Sequence, residues 1–151
     1  MPTENSRVPV FWLLAFGVLV SDQISKLMVT RALVLGETMP IFEGYFHFTH
    51  VRNTGGAFGL VPGAQKIFLA ASVLVTIGII IYKLSQKPRG SLVNMALGLI
   101  LGGAAGNLVD RLNSGEVIDW IDFQIWPVFN IADMALVSGL ALLSLYIIRS
   151  N

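Results

Sequence analysis

The chain has 151 residues, of which 54% are hydrophobic and 13% are charged, and its formal net charge is +1. This apolar excess excludes a disordered chain, a coiled coil and an ordinary cytosolic enzyme, and the small net charge argues against a nucleic-acid partner. Since the chain contains no cysteine, it cannot form a disulfide, a thiolate nucleophile or a cysteine-based zinc site. The composition therefore predicts a single integral membrane domain over residues 1–151.

Four apolar segments reach or approach the length needed to cross a bilayer: residues 8–29, 67–83, 92–110 and 131–149. The first is the weakest, because polar residues interrupt its second half, and alone it would also fit a cleavable signal peptide. No small-residue cleavage motif follows it and three further apolar segments do, so we interpret it as an anchor. We therefore predict a mainly α-helical membrane protein with four transmembrane helices.

Basic residues in the loops predict the orientation of these helices. Lysine and arginine are equally numerous on the two sides, but the hairpin at 83–91 contains Lys83, Lys87 and Arg89 and no acidic residue. Because short basic loops remain in the cytoplasm, we predict that both chain termini lie on the cytoplasmic side.

The two connections on the opposite side are longer. Residues 36–60 are rich in aromatic and β-branched side chains and are punctuated by glycine and proline, which predicts a small β-sheet at the membrane surface between helices 1 and 2. Residues 111–129 carry Trp120 and Trp126 at the same interface, and Pro127 precedes the fourth helix.

The third apolar segment combines small and polar residues. Three glycines recur at every fourth position: Gly98, Gly102 and Gly106. This spacing predicts close packing against another helix. Asn107, Asp110 and Arg111 follow at i, i+3 and i+4, so they share one helical face and can bond to one another. Alternatively, Asp110 and Arg111 only mark the end of the helix at the interface.

Two carboxylates lie near the same membrane boundary. Asp119 is flanked by apolar and aromatic residues, and Asp133 follows Asn130 at the head of the fourth segment. Asn130 could simply cap that helix, with Asp133 in its first turn facing the positive end of the helix dipole. Carboxylates in apolar surroundings near a membrane are energetically costly, however, which favours a functional role.

Two other polar pairs have structural interpretations. Asp22 and Lys26, at i and i+4, are interpreted as an interfacial ion pair that fixes the first helix rather than as catalytic groups. His47 and His50 lie three residues apart in a predicted strand, and this odd spacing directs them to opposite faces. A two-histidine metal site is therefore not expected.

Five segments together resemble the successive motifs of lipoprotein signal peptidase, also called signal peptidase II. They follow the family's order and cover nearly the whole chain: DQISK at 22–26, RNTGGAF at 52–58, GGAAGNLVDR at 102–111, GEVIDW at 115–120 and PVFNIAD at 127–133. The departures are small, since Gly56 stands where the family often has alanine and Trp120 where it usually has phenylalanine. The stretch between Asp119 and Asp133 is also shorter than in many members.

This resemblance implies an intramembrane aspartyl protease of the bacterial inner membrane. Such an enzyme removes the signal peptide of a prolipoprotein by cutting before the cysteine that carries a diacylglyceryl group. The implied catalytic pair is Asp119 and Asp133, with no metal and no other cofactor. The implied site faces the periplasm, beneath a cradle formed by residues 36–60. The expected partners are the prolipoprotein and membrane lipid, the expected oligomeric state is a monomer, and globomycin-type inhibitors are expected to bind.

The resemblance also implies roles for the surrounding polar residues. Five residues are implied to bind the substrate: Asn53, Gly55, Asn107, Arg111 and Asn130. Three are implied to support the site structurally: Asp22, Lys26 and Asp110. Among these, Asp110 is expected to orient Arg111.

The chemistry of two carboxyl groups fits this assignment. One carboxylate makes a water nucleophilic, while its protonated partner polarises the peptide carbonyl and later protonates the leaving amine.

Three alternative functions fit the sequence less well. A proton-coupled transporter would also keep carboxylates in a helical bundle, but the polar residues here cluster at one interface and the second helix has no such groups along its length. A scaffold protein would explain the glycines but not the carboxylates. A serine–lysine dyad of Ser21 or Ser25 with Lys26 would have both members too close together on one helix.

Overall fold

The computed structural model describes residues 8–55, 64–88 and 90–150. These residues form four helices and three strands: α1 Val8–Ala32, β1 Thr38–Phe42, β2 Phe46–Asn53, α2 Ala64–Gln86, α3 Ser91–Ser114, β3 Val117–Asp122 and α4 Ile131–Ser150. All four helices are long and apolar enough to cross a membrane. The prediction of a mainly α-helical membrane protein with four such helices and a small sheet is therefore confirmed.

Helix α3 lies at the centre of the bundle and packs against the other three helices. Its predicted glycine face contacts α1: a Cβ atom on Gly98 would lie 2.7 Å from the carbonyl oxygen of Phe11, and one on Gly102 would lie 2.7 Å from that of Ala15. At Gly106 the same position would lie 2.7 Å from a carboxylate oxygen of Asp22. The glycines therefore allow close packing of α3 on α1, as predicted, and bring polar groups of the two helices together at one end.

Helix α2 lies at the edge of the bundle and packs mainly against α3. It continues to Gln86, so Lys83 lies inside the helix and is buried, and it is not a loop residue as the hairpin prediction assumed. The Nζ atom of Lys83 donates a hydrogen bond to Oδ1 of Asn94 on α3. Apolar residues on both sides of Lys83 extend α2 past its predicted end. Arg89, another basic residue of the predicted hairpin, lies outside the described residues.

The three strands form one antiparallel sheet in the order β1-β2-β3. Strands β1 and β2 form an antiparallel hairpin where a small sheet was predicted between helices 1 and 2. Residues 56–60 of that segment lie outside the described residues. Strand β3 comes from the connection between α3 and α4, where only interfacial tryptophans were predicted. It pairs with β2 so that Asp119 lies opposite Val51 and Val117 lies opposite Asn53. This pairing brings the polar end of β2 next to Asp119.

Aromatic packing and backbone hydrogen bonds fix β3 against β2 and against the residues that precede α4. The ring centroids of Phe48 and Trp120 are 5.1 Å apart, and those of Phe123 and Phe129 are 5.9 Å apart. The backbone NH groups of Trp120 and Ile121 both donate to the carbonyl oxygen of Phe129, at 3.0 and 2.8 Å. These contacts hold the residue before Asn130 against the strand that carries Asp119.

Candidate active site

Asp119 is a buried carboxylate at the sheet end of the bundle. It lies in the middle of β3 and is only 2% exposed. Its Oδ1 atom accepts a hydrogen bond from Nδ2 of Asn130 at 2.7 Å, and its Oδ2 atom accepts one from Nδ2 of Asn53 at 2.9 Å. Burial raises the pKa of Asp119 to about 6; the nearby charge of Asp133 acts in the same direction, and the two hydrogen bonds oppose it. Asp119 can therefore hold a proton at mildly acidic pH.

Asp133 lies in the first turn of α4 and is half-buried. Its Oδ1 atom accepts a hydrogen bond from Nδ2 of Asn107 at 2.8 Å. Its backbone NH donates to Oδ1 of Asn130 at 2.8 Å, so Asn130 caps α4 in the way that the structural interpretation predicted. The same asparagine binds Asp119 through its amide nitrogen. The side chain of Asn130 thus both caps α4 and binds Asp119.

The two asparagines connect the two carboxylates. Nδ2 of Asn130 also donates to Oδ1 of Asn107 at 3.1 Å. A continuous series of hydrogen bonds therefore runs from Asp119 through Asn130 and Asn107 to Asp133. This series joins three elements, β3, α3 and α4, and fixes the side-chain orientation of both carboxylates.

Lys26 contacts this network through Asn107 and is only 2% exposed. Its Nζ atom is 2.7 Å from Oδ2 of Asp22 and 2.7 Å from Oδ2 of Asp110, and it donates to Oδ1 of Asn107 at 3.2 Å. The predicted ion pair of Asp22 and Lys26 is present; it is buried in the bundle and includes a second carboxylate. Asp22 also accepts a hydrogen bond from the backbone NH of Ala132 at 2.9 Å. This buried charged group therefore joins α1 to α3 and α4.

Arg111 lies on α3 on the side of α2. Its Nη1 atom donates to Oγ of Ser72 at 2.8 Å, and its guanidinium carbon lies 5.7 Å from the ring centroid of Phe68. The side chain is half-buried. Arg111 is thus held by two residues of α2, at the same end of the bundle as the two carboxylates.

Comparison with known proteins identifies the family to which these residues belong. Residues 14–149 match the family described as Signal peptidase (SPase) II. The chain belongs to this family. A protein named lipoprotein signal peptidase from Halothermothrix orenii is 47% identical over 131 residues, which are 86% of this chain and 89% of that protein. One of the same name from Moorella thermoacetica is 45% identical over 133 residues, covering 88% and 89% of the two chains.

Solved structures agree with this assignment. Two structures described as bacterial membrane enzymes superimpose on this chain with TM-scores of 0.83 and 0.81, each at 28% sequence identity. They cover 92% and 91% of this chain, and the chain covers 92% and 86% of theirs. The resemblance found from the motifs is therefore confirmed, and the protein is a multi-pass membrane peptidase of the signal peptidase II family.

The structure corrects the expected role of Asp110 in this peptidase. Asp110 does not bond to Arg111; its carboxylate instead pairs with Lys26 and accepts hydrogen bonds from Nε2 of Gln23 at 3.0 Å and from the backbone NH of Ile118 at 3.2 Å. The reason is helical geometry, because consecutive residues point in directions about 100° apart. Asp110 therefore faces α1 and the start of β3, while Arg111 faces α2.

Gly55 follows strand β2 and contacts both Asn53 at the end of that strand and Phe68 on α2. The backbone NH of Gly55 donates to Oδ1 of Asn53 at 2.8 Å, which leaves Nδ2 of Asn53 directed at Asp119. Gly55 has a φ angle of +84°, and a Cβ atom here would lie 2.6 Å from Cδ2 of Phe68. The turn therefore requires glycine for both backbone conformation and space. Gly55 orients Asn53 in this structure, in addition to the substrate contact expected from the motifs.

Some residues that contact the site were not predicted from the sequence. Helix α2 was regarded as bare, yet Ser72 and Phe68 hold Arg111, and Gln23 binds Asp110 and the carbonyl oxygen of Gly106. A single serine or glutamine in an apolar helix gives no periodic signal, so only the packing identifies these contacts. His50, for which no metal site was expected, has its Nδ1 atom 3.0 Å from the carbonyl oxygen of Leu33, the residue that follows α1.

Proposed function

We propose that this chain is a membrane-embedded aspartyl endopeptidase that removes the signal peptide from bacterial prolipoproteins, cutting before the diacylglyceryl-modified cysteine. The observation that carries the proposal is the hydrogen-bonded series that joins Asp119 and Asp133. Both carboxylates lie at one end of helices long enough to span a membrane. The names of the relatives at 45–47% identity support the substrate class.

The unequal environments of the two carboxylates support separate roles in hydrolysis. Asp119, whose pKa is raised to about 6, is the protonated partner that polarises the peptide carbonyl. The more exposed Asp133 accepts a proton from water as the water oxygen attacks the carbonyl carbon. The tetrahedral intermediate then collapses as the C–N bond breaks, and a proton passes from the carboxyl pair to the leaving amine. The pair thus returns with one shared proton.

The polar residues around the pair divide into two groups. Asn53, Asn107 and Asn130 orient the carboxylates by their hydrogen bonds. We propose that the exposed Asn53 also binds the substrate backbone, whereas Asn107 and Asn130, which are buried, act on the substrate through the two carboxylates. We propose that Arg111 and Gly55 bind the substrate backbone at the β2 and α2 side of the site. A guanidinium offers five NH donors in a fixed plane, which suits recognition of backbone carbonyl oxygens.

We further propose that the enzyme acts as a monomer in the bacterial inner membrane. Both termini would lie in the cytoplasm, and the site would face the periplasm beneath the cradle formed by residues 36–60. Exposed Phe42, Tyr45 and Trp126 at the sheet end support a position at the lipid headgroups, where aromatic side chains are stable. In this arrangement the acyl chains of the substrate stay in lipid while water reaches the carboxylates. A globomycin-type inhibitor would occupy the same substrate site.

The test is cleavage of a matched pair of substrates by the purified protein in detergent. One substrate is a diacylglyceryl-modified prolipoprotein, and the other is the same prolipoprotein without the lipid. We expect cleavage of the first alone, with the modified cysteine at the new N-terminus by mass spectrometry. Cleavage at another residue, or no cleavage by folded protein, would contradict the proposal.

A further inference from the structure

Ser72 is a buried polar residue of α2 that the motifs leave unassigned. Its hydroxyl donates to the carbonyl oxygen of Phe68 at 2.9 Å, one turn earlier in the helix. Because a hydroxyl has a single proton, its lone pairs are then directed away from the helix, and one of them accepts the hydrogen bond from Nη1 of Arg111 at 2.8 Å. The bond within α2 therefore sets Ser72 as an acceptor for the guanidinium.

Phe68 restrains the same guanidinium from another direction. The guanidinium carbon of Arg111 lies 5.7 Å from the centroid of the Phe68 ring, within the range of a cation–π contact. The ring is itself confined, because Gly55 packs against it closely enough to exclude a Cβ atom. A planar group held by one hydrogen bond and one ring contact has a defined orientation. Within the described residues, Ser72 is the hydrogen-bond partner of Arg111, so further NH groups of the arginine can bind another molecule.

We propose that Ser72, together with Phe68, is a positioning residue that sets the plane of the Arg111 guanidinium against the substrate backbone. This inference rests on the proposed function, in which Arg111 binds the substrate. Helix α2 thereby contributes to substrate recognition through α3, although it carries neither catalytic carboxylate. A residue that only fastened α2 to α3 would affect stability, whereas a positioning residue affects substrate affinity.

The experiment compares two serines of α2 that share the same local bond. Ser85 donates to the carbonyl oxygen of Ile81 at 2.8 Å, as Ser72 does to Phe68, but Ser85 is exposed and has no cross-helix partner among the described residues. Ser72→Ala should raise the KM for the lipid-modified substrate about 3- to 10-fold, with little change in kcat, because the lost interaction serves substrate and transition state alike. Ser85→Ala should leave both constants unchanged.

Two further variants separate positioning from simple packing. Ser72→Thr should restore the KM, because a threonine hydroxyl can make the same bond to the preceding turn and accept from Arg111. In an Arg111→Lys background, which should itself raise the KM, Ser72→Ala should add little, because the point charge of lysine has no plane to orient.

The inference would be overturned if Ser72→Ala changed only the thermal unfolding midpoint, if Ser72→Thr failed to restore the KM, or if the effects of Ser72→Ala and Arg111→Lys were additive. Failure of the proposed function gives a different result. In that case the unaltered protein would not cleave the lipid-modified substrate, or Asp119→Asn would cleave it normally, and both proposals would be withdrawn.

Discussion

The two ends of the bundle contain the same pair of residue types in different surroundings. At the sheet end, Lys26 donates to Oδ1 of Asn107, and at the other end Lys83 donates to Oδ1 of Asn94. Both lysines are buried, and both asparagines lie on α3. A lysine bonded to the oxygen of an asparagine fixes the amide so that its nitrogen must find an acceptor elsewhere.

The acceptor of that nitrogen distinguishes the two ends. Nδ2 of Asn107 donates to the carboxylate of Asp133, whereas Nδ2 of Asn94 donates to the carbonyl oxygens of Pro88 and Gly90. The first arrangement orients a proposed catalytic group, and the second closes the turn between α2 and α3. The same local pair therefore supports chemistry at one end and chain geometry at the other.

The largest expected difference between the two ends is in the loss of stability when each lysine is replaced. Lys26→Met leaves the buried carboxylates of Asp22 and Asp110 without a cation, which should lower the free energy of unfolding by about 3–5 kcal/mol. Among the described residues Lys83 pairs with no carboxylate, so Lys83→Met should lower it by about 1–3 kcal/mol, the cost of one unsatisfied amide oxygen. Thermal unfolding in detergent measures both values, and equal losses would contradict the comparison.

The asparagines should differ in catalysis. Asn107→Ala removes the donor to Asp133 and should lower kcat by about 100-fold, the usual scale for a lost orienting hydrogen bond in an active site. Asn94→Ala, the matched change at the other end, should leave kcat unchanged while it lowers stability. Steady-state cleavage by equal amounts of folded protein tests this difference. A similar kcat in the two variants would mean that Asn107 serves packing alone.

The helix packing that brings the polar groups together could be predicted from the sequence, but the ion-pair and hydrogen-bond partners of those groups could not. Apolar length and glycine spacing predicted the helices and the close contact of α3 with α1, because these signals are local and periodic. The motif resemblance supplied Asp119 and Asp133. Strand β3 was missed because its pairing of Asp119 with Val51 joins residues far apart in the chain. For the same reason the sequence could not assign Asp110 to Lys26 or Arg111 to Ser72, since a helical face does not identify its neighbour.

Two glycines give a smaller test of which helices pack closely. Gly102→Ala places a methyl group 2.7 Å from the carbonyl oxygen of Ala15 and should lower stability by about 1–3 kcal/mol. Gly78 on α2 has no neighbouring atom within 4 Å of its would-be Cβ, so Gly78→Ala should be neutral or slightly stabilising. Unfolding midpoints in detergent compare the two. A tolerated Gly102→Ala would mean that α1 and α3 can separate freely.

The smallest expected effect is a shift in pH dependence at the sheet end. Asp119, with a pKa of about 6, must be protonated in the proposed mechanism, so kcat/KM should fall as the pH rises through about 6. Asn53→Ala removes a hydrogen bond that lowers this pKa, so the descending limb should move to higher pH. A pH profile of each protein measures the shift, and a shift to lower pH would contradict it.

Stability should follow the same titration. The pKa of Asp119 is higher in the folded protein than its usual value of 3.8, so the folded state holds the extra proton between about pH 4 and pH 6. The free energy of unfolding should therefore decrease as the pH rises through this range, and Asp119→Asn should remove that part of the dependence. An unchanged pH dependence in Asp119→Asn would assign the titration to another group.

The central claim is that Asp119 and Asp133 act as one catalytic unit, and the most direct measurement is single-turnover cleavage of a diacylglyceryl-modified prolipoprotein. Asp119→Asn and Asp133→Asn should each lower the rate about a thousandfold or more, and the double variant should be no slower than either single variant. Asp122→Asn, which alters another buried carboxylate of β3 that binds Thr49 and Gln124, should retain the rate of the unaltered enzyme. Substantial cleavage by either single variant, or multiplied losses in the double variant, would contradict the claim.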